Sequence, residues 1–211
     1  MTERPIMKAG RPVYDRALAV LAMAAMIATC AGCFSSAPPP ATAWTVDAAS
    51  MSGLPPAEPK PVFAATRLGG VSVLPPYDQL AFAVRRTDGS VAFDPANRFA
   101  AQPASLLKGP LMASLAADGR FGHVVSQTSV VNSDAIVEVV FPELSLDCRT
   151  AGSRKARAAV TVNVVKGGRS QRDIALSGNG SGEADASDGN YSAAFSAAVN
   201  TAVANALSGL K

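Results

Sequence analysis

The sequence predicts an α+β domain, a mostly antiparallel sheet with two amphipathic helices packed on one face. Two observations carry this. Apolar residues recur at every second position in short runs closed by Asp-Gly or Gly-Gly, the signature of hairpins. Two longer stretches, 103–119 and about 190–210, repeat apolar residues at three-and-four spacing, and two such helices need one face of a sheet to bury their stripes. At 211 residues and 48% hydrophobic, the chain holds enough apolar material for one core plus extensions.

The first extension is a leader. Residues 1–16 are polar and carry Arg4, Lys8, Arg11 and Arg16; residues 17–29, "ALAVLAMAAMIAT", are apolar; small residues and cysteine follow at 30–33. This order is that of a secretory signal peptide over residues 1–32, with a start at Met1 or Met7. The apolar run is shorter than the roughly 20 residues a spanning helix needs, and Pro38–Pro40 block its extension, which leaves a retained signal anchor as the lesser alternative. "CAGC" places Ala31 and Gly32 before Cys33, resembling the box that precedes a lipid-modified cysteine in bacterial lipoproteins. Cys33 is therefore the expected lipidation site. Cys30 is the alternative, with Thr29 a poorer neighbour. Phe34, rather than Asp, after Cys33 favours sorting to the outer membrane. Several acyl chains on one residue anchor stably, at about 0.8 kcal/mol per buried methylene.

A Cys-x-x-Cys redox or zinc reading of Cys30 and Cys33 fails on context. A thioredoxin-like motif needs a strand before it and a helix opening at it, and zinc needs two further ligands where the chain offers only Cys148 and His123. No metal or cofactor is expected. Removing the leader takes four of the 19 basic and two of the 16 acidic side chains and leaves a net charge of about +1, with no basic stripe; nucleic acid is not an expected partner.

Residues 33–66 read as a Pro/Ala-rich tether, stiff and extended, with one island, "AWTVD" (Ala43–Asp47), able to add an edge strand with Trp44 inward. The α+β domain spans 67–211. Its first strand is expected at Gly70–Leu74, ended by Pro75-Pro76. "QLAFAVRR" alternates Leu80, Phe82 and Val84, and "TDGS" turns it back into "VAF". "DPANRF" then leads into a helix that opens at Pro103, carries Leu106, Leu107, Leu111, Met112 and Leu115 on one stripe, kinks or restarts at Pro110, and stops at Gly119. "GHVVSQTSVV" is a short strand and a turn. In "SDAIVEVVFPELSLDCR", Ile136, Glu138 and Val140 share one face and Val137, Val139 and Phe141 the other, with a bulge or break at Pro142. Val160, Val162 and Val164 face inward on the next strand, which turns at Gly167-Gly168. "RDIALSGNGSGEA" completes that hairpin and dissolves into a flexible glycine turn. An Ala-rich helix with Tyr191, Phe195, Val199 and Ala202 on its stripe ends the chain.

Little in the chain carries chemistry. His123 is the only histidine and reads as structural or solvated; a nucleophile needs a neighbouring base, and no Gly-x-Ser-x-Gly elbow occurs. Gly178, Gly180 and Gly182 lack the Gly-Lys-Ser/Thr of a phosphate loop, and Asp185, Asp188 and Asn190 have the wrong spacing for a calcium loop. Arg85-Arg86 and Arg149–Arg157 flank hairpin positions and read as solvated turn charges, with contact to anionic headgroups or an acidic partner the sharper alternative. Cys148 reads as a small buried residue.

From the lipobox onward the chain resembles the ABC-type transport auxiliary lipoprotein family, PqiC-like proteins that accompany MCE-type lipid transporters. "AWTVD" is similar to the family's early strand. "GGVSVLPPYDQLAFAVRRTDGSVAFDPANRFAAQPASLLKGPLMASLAADGRF" is similar to its strand, hairpin and helix, and "SDAIVEVVFPELSLD" to its central strand. Phe99 stands where the family commonly has Trp, and Ala135 where it has an aromatic. The resemblance implies a non-enzymatic protein, lipid-anchored at the periplasmic face of the outer membrane. It implies docking to the MCE-family periplasmic component of the transporter in support of phospholipid trafficking, and it brings no catalytic residues. Two other readings compete: an outer-membrane assembly lipoprotein that partners a β-barrel, and a periplasmic enzyme using His123.

Overall fold

A computed structural model describes residues 40–47, 61–166 and 173–211; Cys30, Cys33, most of the tether and the Gly167-Gly168 turn lie outside the described residues. Within them, the strands are β1 (Thr42–Trp44), β2 (Phe63–Val73), β3 (Ala81–Arg85), β4 (Val91–Phe99), β5 (Phe121–Val125), β6 (Ala135–Asp147), β7 (Lys155–Lys166) and β8 (Asp173–Asp185). The helices are α1 (Pro103–Leu106), α2 (Lys108–Asp118) and α3 (Tyr191–Ser208). After β1 the order is three strands, a helical segment, four strands and a helix, as the sequence predicts.

The eight strands form one sheet with β6 at its hub. One edge of β6 pairs antiparallel with β7 along its whole length, and β7 pairs antiparallel with β8. The other edge takes β2 over Ala135–Phe141 and β3 at Leu146–Asp147, both in parallel. β5 lies parallel beside β2, β4 antiparallel beside β3, and β1 parallel beside β4. The long pairings are antiparallel. The parallel ones join strands that are not sequential, where no hairpin signal exists to reveal them.

Pleat parity explains which side chains form the core. Val137, Val139 and Phe141 face inward from β6 at 1% exposure or less. At Pro142 the pairing with β7 shifts from Val140↔Thr161 to Glu143↔Ala159, one extra residue on β6. That bulge moves the inward set from odd to even positions, so Leu144 and Leu146 stay in the core. Val160, Val162 and Val164 of β7 are inward as expected. The helices cover this face only, and the opposite face of β7 and β8 is polar, with Thr161 donating to Asn179 and Ser177 donating to Asn163 across the strands.

The helical segment breaks at Leu107, which ends α1 and opens α2. Pro103 stands at the start of α1. Pro110 becomes the third residue of α2, where its missing N–H is one the first turn leaves unpaired in any case. Gly119 closes α2 with φ 78°, a left-handed conformation that suits glycine. Leu107, Leu111 and Leu115 are each at most 1% exposed. At the other end of the core, Trp44, Phe82, Phe99, Tyr191 and Phe195 pack with ring centroids 4.6–5.6 Å apart, tying β1, β3, β4 and α3 together.

Three expectations need correction. β2 begins at Phe63, not Gly70, because Phe63, Thr66 and Leu68 are buried and Phe63 stacks on Phe121 at 5.9 Å; this Pro/Ala-flavoured stretch belongs to the sheet rather than to the tether. "DPANRF" does lead into the helix that opens at Pro103, but as the second half of β4 rather than as a loop after a strand ended at Phe93. Asp94 Oδ1 accepts the N–H groups of Ala96 and Asn97, and the pairing with β3 jumps from Ala81↔Arg98 to Ala83↔Phe93, so this is a capped bulge. Asn97 Oδ1 then accepts Trp44 Nε1–H at 2.9 Å, which seats β1. The third concerns the glycines of β8, taken up below.

Candidate functional site

Cys33 and Cys30 lie outside the described residues. His123 sits on β5 opposite Ala65, exposed, with no side-chain hydrogen bond among the described residues. Cys148 follows β6, half-buried, and burial pushes its thiol up from the ordinary value, away from the nucleophilic thiolate. Among the described residues no group of three or more His, Cys, Asp or Glu is placed to hold a metal ion.

Most of the basic cluster side chains have partners among the described residues. Arg85 bonds Glu143 at 2.8 Å. Asp147 accepts Arg149 at 2.6 Å and Arg157 at 3.0 Å, and Glu183 accepts Lys155 at 2.8 Å. Arg154 Nη1 donates to Tyr191 Oη at 2.9 Å. The Arg149 guanidinium, first among the causes, holds the Asp147 carboxyl well below the ordinary carboxylate value of 3.8, against the opposing effect of burial. A carboxyl with a depressed folded-state pKa contributes stability that is present above its unfolded pKa and is lost as pH falls through the folded one. Asp147→Asn is therefore expected to flatten the loss of stability below pH 3.8, read as denaturant midpoints at pH 7 and pH 3.

The glycine run is neither a phosphate loop nor a flexible turn. Gly178, Gly180 and Gly182 lie in β8 on the face against α3. A Cβ at any of them would overlap a carbonyl oxygen of α3, those of Ala206, Ala202 and Ala198 in turn. Two strand residues advance about 6.7 Å and four helix residues about 6 Å, so glycine at every second position meets alanine at every fourth. Downstream, Asp185 and Asp188 are turn residues that accept the N–H of Ser187 and of Asn190, and Asn190 caps α3 by accepting from Ala193.

The surface is most distinctive at the loop between β5 and β6, residues 126–134. It crosses β2 and is braced throughout. Arg67 Nη2 donates to the Val131 carbonyl at 2.5 Å and Nη1 to that of Gln127 at 3.4 Å. Asp134 is stapled to Ala65 in both directions, its N–H donating to the Ala65 carbonyl at 2.8 Å and its Oδ2 accepting the Ala65 N–H at 3.1 Å. Ser129 N–H donates to the Ser126 carbonyl, and Val131 N–H to Ser129 Oγ. This frame holds Val130 98% and Val131 46% exposed. Beside it, Leu68, Gly69 and Met112 floor a cavity of about 210 Å³, with Lys108, Ser126, Gln127 and Thr128 at its rim. Sequence reasoning read "SQTSVV" only as a turn. The one visible signal was an apolar pair, Val130-Val131, set between Ser129 and Asn132 at the tip.

One edge of the sheet is covered. β8 ends the sheet, yet Lys211 and Ser177 exchange backbone hydrogen bonds along its outer edge and Asn205 Nδ2 donates to the Ser181 carbonyl. Such covering suppresses strand addition. Among the described residues no helix is long and apolar enough to cross a membrane.

The molecule is thus an α+β domain with an eight-stranded, mostly antiparallel sheet and its helices on one face. No family model matches the chain, and no curated protein matches it. Among solved structures, a Xanthomonas campestris protein of the DUF330 family superposes with a TM-score of 0.63 at 17% identity, covering 80% of this chain and 93% of that one. The chain shares its fold with that protein. An uncharacterized protein gives a TM-score of 0.43 at 13% identity, covering 68% of this chain and 81% of its own. A PelC dodecamer from Paraburkholderia phytofirmans gives 0.40 at 12% identity, covering 72% and 93%.

Proposed function

We propose that the protein is an outer-membrane-anchored, periplasmic accessory lipoprotein of an MCE-type ABC transport system, which docks on the system's periplasmic component and supports phospholipid trafficking. One observation carries the reading: a lipobox-like "CAGC" ends a signal-type leader on a chain whose domain has the fold of a DUF330 protein, a family to which MCE-associated lipoproteins belong. The Pro-rich composition after Cys33 fits a spacer that holds a body off a membrane surface. A rigid surface loop with exposed apolar residues fits docking rather than catalysis.

The anchor is tested by palmitate labelling in cells. Wild type is expected to incorporate label and Cys33→Ala to lose it. Labelling that persists in Cys33→Ala and vanishes in Cys30→Ala moves the anchor to Cys30, and an unlabelled wild type contradicts lipid anchoring. The role is tested by crosslinking followed by purification, where the MCE component is the expected companion. Recovery of a β-barrel without any transporter subunit contradicts it.

A further inference from the structure

We infer that the 126–134 loop and the cavity beside it form the docking site, a knob and a socket, and that the occupant is a protein partner presenting an apolar side chain flanked by a carboxylate. The identity of that partner as the MCE component rests on the proposed function; the surface and the chemistry do not. Four features converge. The loop is ordered before any encounter by the Arg67 guanidinium and the Asp134 staple, so its exposed valines can be buried without the further entropy cost of fixing a mobile segment. Val130 at 98% exposure projects beyond its neighbours, as a knob must.

The socket sets the size of what enters. At about 210 Å³ it lies below the roughly 300–1,000 Å³ of small-molecule sites, which suits one large side chain and not a phospholipid. Charge sets the rest. Residues 126–133, "SQTSVVNS", hold no charge and no aromatic ring, whereas segments that lie on anionic bilayers combine Lys or Arg with Trp, Phe or Leu. Lys108, at the rim, makes no ion pair among the described residues, and a partner carboxylate complements it. A protein surface satisfies all four features; a membrane matches the exposed valines and can pair Lys108 with an anionic headgroup, but it offers no single side chain to fill the socket.

The experiment places a benzoylphenylalanine photocrosslinker at Val130 in the full lipid-anchored protein in cells, with Thr161 on the polar sheet face as control, and identifies adducts by mass spectrometry. Binding of the identified protein to the purified lipoprotein is then measured for wild type, Val130→Asp, Lys108→Glu and Met112→Trp, the last filling the socket. A discrete protein adduct at 130 but not at 161, with affinity reduced tenfold or more in Val130→Asp and Lys108→Glu at unchanged thermal midpoint, supports the site. If that protein is not an MCE component, the docking site stands and the proposed transport role falls. Adducts to phospholipid alone, no adduct at 130, or variants that bind within twofold of wild type overturn the site.

Discussion

Gly180→Ala is expected to destabilise the domain by about 3 kcal/mol or more, the upper part of the range for overpacking, and Gly180→Val to leave no folded protein. The expectation reverses the usual sign. Glycine inside a helix or strand is ordinarily about 0.5–1 kcal/mol worse than alanine, because it loses more backbone freedom on folding. At Gly180, however, the added methyl would run into the Ala202 carbonyl oxygen and lie 2.5 Å from the Ala206 nitrogen, both backbone atoms of α3. No rotamer change relieves that. The helix must lift off β8, and lifting it opens the packing of Ala198, Ala202 and Ala206, each fully buried. Gly109→Ala is the matched control. It lies in the first turn of α2 with nothing within 4 Å of the new methyl, so a small gain of about 0.5–1 kcal/mol is expected. Urea denaturation of the three proteins decides the matter. A Gly180→Ala midpoint equal to wild type would mean that α3 does not approach β8 this closely.

Arg120→Ala is expected to cost about 3–5 kcal/mol, the range for stripping one partner from a buried ion pair. The Asp118 side chain is 0% exposed and receives Arg120 Nε at 2.6 Å and Nη2 at 2.7 Å. The same guanidinium donates to the Leu207 carbonyl at 2.6 Å, in the last turn of α3. One side chain therefore joins the end of α2 to the end of α3. Its loss leaves a buried carboxylate without its counter-charge and removes one donor from the Leu207 carbonyl, which the Leu210 N–H also reaches at 3.2 Å. Lysine offers a point charge in place of the planar fork, so Arg120→Lys should recover less than half of the loss. Asp118→Asn combined with Arg120→Ala should be more stable than Arg120→Ala alone, since the unpaired charge is gone. A double variant no more stable than the single one would place the cost in lost packing instead.

How far the sequence carried depends on the range of each signal. Periodicity within a strand or helix exposed the element order, the inward valines of β7 and even the bulge at Pro142, because each is written in consecutive residues. The start of β8 and its hairpin with β7 are legible, but its second half is not, because glycines weaken any local strand signal and the alanines they meet lie about 20 residues downstream on α3. The parallel placement of β2 between β5 and β6 was equally invisible, since hairpin rules describe only neighbours in sequence. "DPANRF" does approach the helix at Pro103, but Asp, Pro and Asn favour both turns and bulges, and only its pairing with β3 shows it to be strand rather than loop. For the site the division is sharper. The lipobox-like pattern at Ala31–Cys33 is written in consecutive residues but lies outside the described ones. The braced loop is the converse: Arg67 and Val131 are 64 positions apart, and nothing in the chain joins them before it folds.

The most direct measurement of the proposed role is binding of the purified full-length protein, in detergent, to the purified periplasmic component of an MCE system from the same source, followed by titration calorimetry or interferometry. Accessory docking requires saturable binding that Val130→Asp weakens tenfold or more while Thr161→Asp leaves it unchanged. Absence of binding by the wild-type protein, with a β-barrel recovered in its place from crosslinked membranes, contradicts the transport role.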